Sequence, residues 1–414
     1  MDGGSVCERQ FAVMNLPARR RHSQELMRSI YFDYNATTPL DSAVREAMMP
    51  FLGEVWGNPS SVHQVGRKAR AFLDEFRERT AKVLGCRPSE VIFTSGGTES
   101  ANLAIFGSAR ALKTKGRHII TSAVEHHAVL HSFQYLAKHE GFDATILPVN
   151  REGLISPEDL RKALRPDTIL VSLMGANNEI GTIQPVAELG RICRERGVLF
   201  YTDAVQWFGK ESFAGVAQFN ADLVSICGHK FHGPKGAGAL FIKSPLHPDP
   251  ILFGGSHENE RRAGTENLAA IAGFVEALER FVTRPVFSKE RLTPLSARLI
   301  QLVDRIPGVH FVGSRENRLA NTVSFLVEGA DSISLLANLD LEGICASSGS
   351  ACSAGSIEPS HVISALNFGP ELANSLVRFS LGRDSSLEEI EYAEKVLPDI
   401  IRRAQRTEKV GKTL

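Results

Sequence analysis

Several side chains able to do chemistry stand directly behind short apolar runs in this chain. In open parallel sheets such positions gather at one edge, where ligands bind. Lys230 follows DLVSI within CGHKFHGPKG. Lysines are usually solvated, but one in a loop of small residues behind a buried strand is a candidate Schiff-base amine. Asp203 and Gln206 follow VLFYT, where the aspartate suits either a helix N-cap or the partner of a protonated ring nitrogen. Glu125, His126 and His127 follow HIITSAV; an imidazole there is often structural, yet it also suits stacking on a flat heteroaromatic ring. Asn177 and Asn178 follow TILVSLM. Behind VIF comes TSGGTES, where Gly96 and Gly97 let an anion approach backbone N–H groups, or simply make a glycine turn capped by Thr98. A phosphate cradle, a stacking histidine, a carboxylate and a lysine are jointly what a pyridoxal phosphate site requires. No nucleotide P-loop, G-x-G-x-x-G behind a strand or H-E-x-x-H competes with that reading.

A second cluster lies in ICASSGSACSAGSIEPSH, from Ile344. Around Cys352 nearly every neighbour is Ser, Gly or Ala, too little apolar area to pack firmly, so the composition predicts a mobile loop. A free thiol has a pKa near 8.5, so Cys352 needs a partner or a charged pocket to act as a nucleophile. Cys345, beside Ile344, reads as a structural thiol. Six cysteines without a C-x-x-C pair suit reduced thiols rather than a disulfide scaffold or zinc site.

The elements that must position these groups show in the hydrophobic pattern. Seven apolar runs (VIFTS, HIITSAV, ATILPV, TILVSLM, VLFYTDAV, DLVSICG and GALFIK) alternate with amphipathic stretches. One such stretch starts at Val65; another starts at Pro185 and buries Val186, Leu189 and Ile192 on one face. This alternation predicts an α/β fold with a mostly parallel central sheet and helices on both faces. The polar segment from Thr283, with two prolines, reads as a connection. It leads to a smaller α+β domain with a helix over 296–305, strands near NTVSFLV and LVRFSLG, and a last helix from Leu387. The division is thus a flexible extension over 1–28, a large domain over 45–283, and a small domain from 29–44 and 284–414 that carries the cysteine loop.

The 414 residues hold 47 basic and 47 acidic side chains, which leaves no electrostatic footprint for nucleic acid. No apolar run approaches the roughly 18 residues of a membrane span, and the first residues lack the apolar core of a secretory signal. The expected location is cytoplasmic, with neither nucleic acid nor membrane as partner.

Nine motifs in order, YFDYNATTP, GNPSSVH, TSGGTES, EHHAV, NNEIGTIQP, DAVQ, GHKFHGPKG, RRAGTEN and SSGSACSAGSIEPSH, resemble the cysteine desulfurases of the NifS/IscS type. These are class V aminotransferase-family, fold type I enzymes that use pyridoxal 5′-phosphate, and the long cysteine loop resembles their group I branch. The resemblance implies that Lys230 forms the internal aldimine, Asp203 holds the ring nitrogen protonated, Gln206 bonds the ring hydroxyl and His126 stacks on the ring and assists Lys230 in catalysis. It makes Gly97, Thr98, Cys227 and His229 phosphate ligands, joined by Thr265 from a neighbouring subunit, hence a homodimer. It places Asn177 at cofactor and substrate, and Arg378, assisted by Asn35, on the substrate carboxylate. Cys352 then takes sulfur from L-cysteine as a persulfide, releasing alanine, and passes it to an acceptor such as an iron–sulfur scaffold, with a transient role as ligand of a nascent iron–sulfur cluster. The alternatives are another class V aminotransferase-family reaction or a selenocysteine lyase; transamination needs no thiol, so Cys352 discriminates. Three positions depart from the pattern: Cys227 for a phosphate-binding serine, His257 for a glutamine, and Trp207 where small residues are usual.

Overall fold

The structure is a computed structural model, described for residues 29–349 and 359–411. Its strands are β1 Ile30–Tyr31, β2 Val91–Thr94, β3 His118–Ser122, β4 Asp143–Leu147, β5 Thr168–Ser172, β6 Leu199–Asp203, β7 Leu223–Cys227, β8 Gly238–Ile242, β9 Val309–Val312, β10 Thr322–Val327, β11 Ile344–Cys345 and β12 Val377–Ser380. The seven apolar runs become β2 to β8 in order and form one sheet, arranged β2-β8-β7-β6-β5-β3-β4. Pairing is parallel from β4 to β7, while β8 runs antiparallel to both of its neighbours. β2 therefore runs the same way as β7, and the carboxyl ends of β2, β3, β5, β6 and β7 share one edge.

Strands buried on both faces read as continuous apolar runs, and every residue of β2, β3, β5, β7 and β8 is buried. β4, at the sheet edge, is only partly buried, with Asp143 and Ile146 exposed and Leu147 buried. Helix Gln64–Leu84 starts at His63, whose ring accepts the Gly66 N–H, and stops at Gly85 in the left-handed region (φ 66°). Its buried stripe of Ala69, Leu73, Phe76 and Leu84 joins the main core. Helix Val186–Glu195 buries Val186, Leu189 and Ile192, the face its spacing predicts.

A second apolar cluster joins Ile30, Phe32 and Tyr34 to residues between Phe287 and Ala404. It packs under the antiparallel sheet β12-β10-β9 and the parallel pair β1-β11. One element differs from expectation: the helix in this unit runs from Lys289 to Arg305 rather than from Ser296. Pro294 removes one helical hydrogen bond, a cost of about 3 kcal/mol in a helix interior. Burying Leu292 and Leu295 offsets that, so the polar stretch joins the helix instead of connecting to it. Among the described residues, no helix is long and apolar enough to cross a membrane.

Candidate active site

The shared strand edge opens into a cavity of about 230 Å³. Asn35, Gly97, Thr98, His126, Asp203, Gln206, Cys227, His229, Lys230 and Arg378 all line it. Residues from six separate stretches of sequence thus converge.

Lys230 follows β7, and its Nζ donates to the carbonyls of Asn35 and Ala36, each at 2.8 Å. Burial lowers its pKa, Arg378 adds to the effect, and Cys227 and Asp203 oppose it. An amine held against two carbonyls, with its ammonium form disfavoured, is prepared to act as a nucleophile and base. Asp203 ends β6 and accepts the Val205 N–H at 3.0 Å. Burial raises its pKa to about 6, against the pull of that bond and of Lys230; a cation brought opposite would favour its ionised form.

His126 caps helix His127–His139, its Nδ1 accepting the Ala128 N–H at 3.1 Å. That bond leaves the ring proton on Nε2. Burial, then Lys230 and three histidines, lower the imidazole pKa to about 4. A neutral ring at the cavity wall suits stacking. His229, whose Nδ1 meets Thr37 Oγ1 at 3.2 Å, is lowered to about 3, first by burial and then by Lys230.

Across the cavity, Arg378 on β12 has a side chain only 1% exposed. Its Nη1 donates to Asn178 O at 2.9 Å and its Nη2 to Asp33 Oδ1 at 2.6 Å, while Nε has no partner among the described residues. Asn35 is the hub between the two halves: its Nδ2 donates to Asn178 O and Thr322 Oγ1, and its carbonyl receives Gln206 Nε2 as well as Lys230.

Two predicted residues stand elsewhere. Asn177 is wholly buried and does not line the cavity; its Nδ2 donates to Val124 O and its Oδ1 accepts from Glu179 and Ile180. Its neighbours Ala176 and Asn178 reach the wall instead. Thr265 is exposed, outside the cavity of its own chain. Its loop is anchored by Glu258, which makes two 2.7 Å bonds to Arg77 and accepts the Phe93 N–H at 2.9 Å. Glu258, Asn259 and Glu260 all hold positive φ (50°, 57° and 64°). Cys352 lies outside the described residues. The chain on either side of its segment is tied beside the cavity: Ser347 exchanges backbone bonds with Arg378, and His361 Nε2 donates at 2.8 Å to the carbonyl of Glu125, next to cavity-lining His126.

Asp33 and Lys210 carry no mark in the amino-acid pattern, whereas Glu125 stands behind an apolar run beside His126. Asp33 partners Arg378. Glu125, wholly buried, accepts from Ser122 and Met174 while its Oε2 has no partner among the described residues, and burial raises its pKa to about 8. Lys210 is buried beside Gln206. Of the departures, Cys227 lines the cavity with its thiol pKa raised by burial, His257 Nδ1 accepts the Gly264 N–H, and Trp207 donates to Ser212 O.

The donor set fits pyridoxal phosphate. A Cβ at Gly97 would come within 2.9 Å of Val205, and Gly96, at φ 145°, faces Cys227 Sγ. Both positions keep the backbone bare where a phosphate would need its N–H groups. An amine, a buried acid and a neutral imidazole surround the space a pyridine ring would take. Among the described residues no cluster suits a metal ion.

Residues 30–393 match the model of the aminotransferase class-V family. Over 377 residues the chain is 51% identical to a cysteine desulfurase IscS of Dictyoglomus turgidum, covering 91% of this chain and 95% of the relative. A solved NifS-like protein superposes with a TM-score of 0.83 at 35% identity, over 90% of this chain and 99% of that one. A solved SspA in complex with cysteine gives 0.76 at 34%, over 86% and 100%. With a fold type I architecture and a donor set suited to the pyridoxal phosphate that this family uses, the chain belongs to the class V aminotransferases, among the cysteine desulfurases.

Proposed function

We propose that this protein is a cysteine desulfurase that converts L-cysteine to L-alanine and carries the sulfur away on Cys352. The observation that carries the reading is the convergence of Lys230 and Arg378 on one cavity, with the two flanks of the Cys352 segment bonded to Arg378 and to Glu125, the neighbour of cavity-lining His126. Cys352 is three residues past Gly349, a span of at most about 10 Å. The similarity to desulfurases and to a protein solved with cysteine supports L-cysteine as substrate.

Bound pyridoxal phosphate supplies the electron sink for a carbanion next to the substrate carboxylate. Gly97, Thr98, Cys227 and His229 hold its phosphate, with Thr265 reaching over from a second copy. His126 stacks on the ring, Asp203 keeps a proton on the ring nitrogen, and Gln206 donates to the ring hydroxyl. Arg378 binds the substrate carboxylate with its fork, using the unpartnered Nε and an Nη, and Asn35 and the Asn177–Asn178 turn hold that fork in place. Lys230 Nζ takes and returns the proton at the substrate Cα, a task its depressed pKa suits. The Cys352 thiolate attacks the substrate sulfur: the Sγ–S bond forms, the substrate Cβ–S bond breaks, and its electron pair stays with the carbon skeleton, which takes up protons and leaves as alanine.

The same reading makes the protein a cytoplasmic homodimer that feeds iron–sulfur cluster assembly, handing its persulfide to an acceptor such as a scaffold protein. Exposed Thr265 and the exposed apolar side chains Leu52, Trp56, Val62 and Phe253 suit a covered face. The second apolar cluster lies wholly within 29–44 and 284–414 and suits a small domain over those stretches beside a large one over 45–283, while Val362, Ile363 and Leu366 of the small domain pack into the main cluster. The decisive test is Cys352→Ser, expected to keep the visible band given by added pyridoxal phosphate while sulfide release from L-cysteine disappears. Normal release from that variant would refute the persulfide step.

A further inference from the structure

Lys210 is 2% exposed, and no step above uses it. Its Nζ donates to Asn35 Oδ1 at 2.7 Å and to Gln206 Oε1, and stands 5.3 Å from the centre of the Phe287 ring. The charged groups acting on it are two cations, Lys230 and Arg378. Burying an amine without an anionic partner is costly. What the fold gains is the orientation of two amides.

An amide side chain is nearly symmetric in shape, so only its partners decide which end faces where. Lys210 presents N–H donors, at least two whether or not it is protonated, and so selects the oxygen ends of both Gln206 and Asn35. Asn321 Nδ2 supports the same choice, donating to Asn35 Oδ1 at 3.0 Å. With its oxygen engaged, Gln206 turns Nε2 to the cavity, where it donates to the Asn35 carbonyl that also holds Lys230. A chain of contacts thus runs from Lys210 through Gln206 to the reactive amine.

We infer that Lys210 is a positioning residue that fixes the Gln206 amide with its N–H groups toward the ring hydroxyl of the cofactor, and through that bond sets the acidity of the group at Lys230. The inference deepens the proposed function and rests on it. It predicts an effect transmitted by Gln206, which a merely space-filling lysine would not show.

The experiment titrates the visible band of the pyridoxal phosphate-loaded full-length protein against pH. Lys210→Met keeps the stem over Phe287 but supplies no donor, and its midpoint is expected to rise by about one pH unit, a tenfold change in acidity. Gln206→Leu should give a similar rise, and the double variant no more than either alone. Lys210→Gln, which restores an N–H donor, should return the midpoint at least half way. Wild-type and Lys210→Met midpoints that superimpose, additive shifts in the double variant, or a Lys210→Gln midpoint equal to that of Lys210→Met would each overturn the inference and leave the proposed function standing. A wild-type protein with no visible band overturns both. Should Lys210→Met not fold, Lys210→Gln alone and combined with Gln206→Leu decides the matter equally, since additivity excludes transmission through Gln206.

Discussion

Arg378 Nη2 donates to Asp33 Oδ1 at 2.6 Å, so the guanidinium that faces the cavity is already held by a carboxylate of its own chain. Asn178 O holds the other terminal nitrogen. The fork is fixed in direction before any substrate arrives, and the cost of ordering a long side chain is met during folding rather than on binding.

Arg378→Lys should therefore weaken substrate binding more than it alters the cofactor. One charge-assisted hydrogen bond is worth roughly 1.5–3 kcal/mol, which predicts a KM for L-cysteine raised about ten- to a hundredfold with the visible band intact. An unchanged KM would remove Arg378 from the carboxylate site.

Lys230→Ala should lose the adduct that borohydride traps with pyridoxal phosphate. Peptide mapping of the trapped wild-type protein should find the label on Lys230. Label on Lys235, which is exposed five residues further along the same loop, would show that the site has been misassigned.

His126 gives a pH signature in the cofactor-free protein. Its folded-state pKa of about 4 lies below the roughly 6.5 of an unfolded histidine, so the unfolded chain binds the proton first as pH falls. Stability is thus fully present above about pH 6.5 and declines as pH drops toward 4; His229 acts with the same sign, toward about 3. Asn is a good N-cap, so His126→Asn keeps the acceptor for Ala128 while deleting the titration. Denaturant midpoints at pH 7.5 and 5 should differ less in this variant than in wild type; equal differences would contradict the assignment.

Glu258→Ala strips three bonds from the base of the Thr265 loop and leaves Arg77 without its bidentate partner. Breaking a buried pair costs about 3–5 kcal/mol, and three successive left-handed residues, each costing roughly 1–2 kcal/mol, lose the contact that holds them there. Urea unfolding should report a loss in that range. A loss below about 1 kcal/mol would mean the loop is held by other contacts.

Much of this architecture was legible because buried strands announce themselves: runs such as TILVS and LVSIC have no polar alternation to confuse with a surface strand. Short, half-exposed β9 carries no such mark. Lys210 and Asp33 escaped for the opposite reason, since charged residues read as solvated until the packing around them is known. The adjacent pair Asn177 and Asn178 could not be told apart, because which side chain closes the turn depends on backbone geometry that two identical residues do not encode. The early start of the helix at Lys289 shows tertiary burial overriding a proline.

The Asn35 N–H donates to Ser380 Oγ, 345 residues away, and among the described residues β1 pairs only with β11. During synthesis on the ribosome the β3–β7 scaffold emerges and pairs long before Arg378 leaves the exit tunnel. The nascent chain therefore carries an incomplete pocket for most of translation, and its amino-terminal strand stays without a partner until nearly the last codons are read. A chain ended between Ile242 and Arg378 would hold every strand of the seven-stranded sheet but lack the guanidinium that faces the cavity.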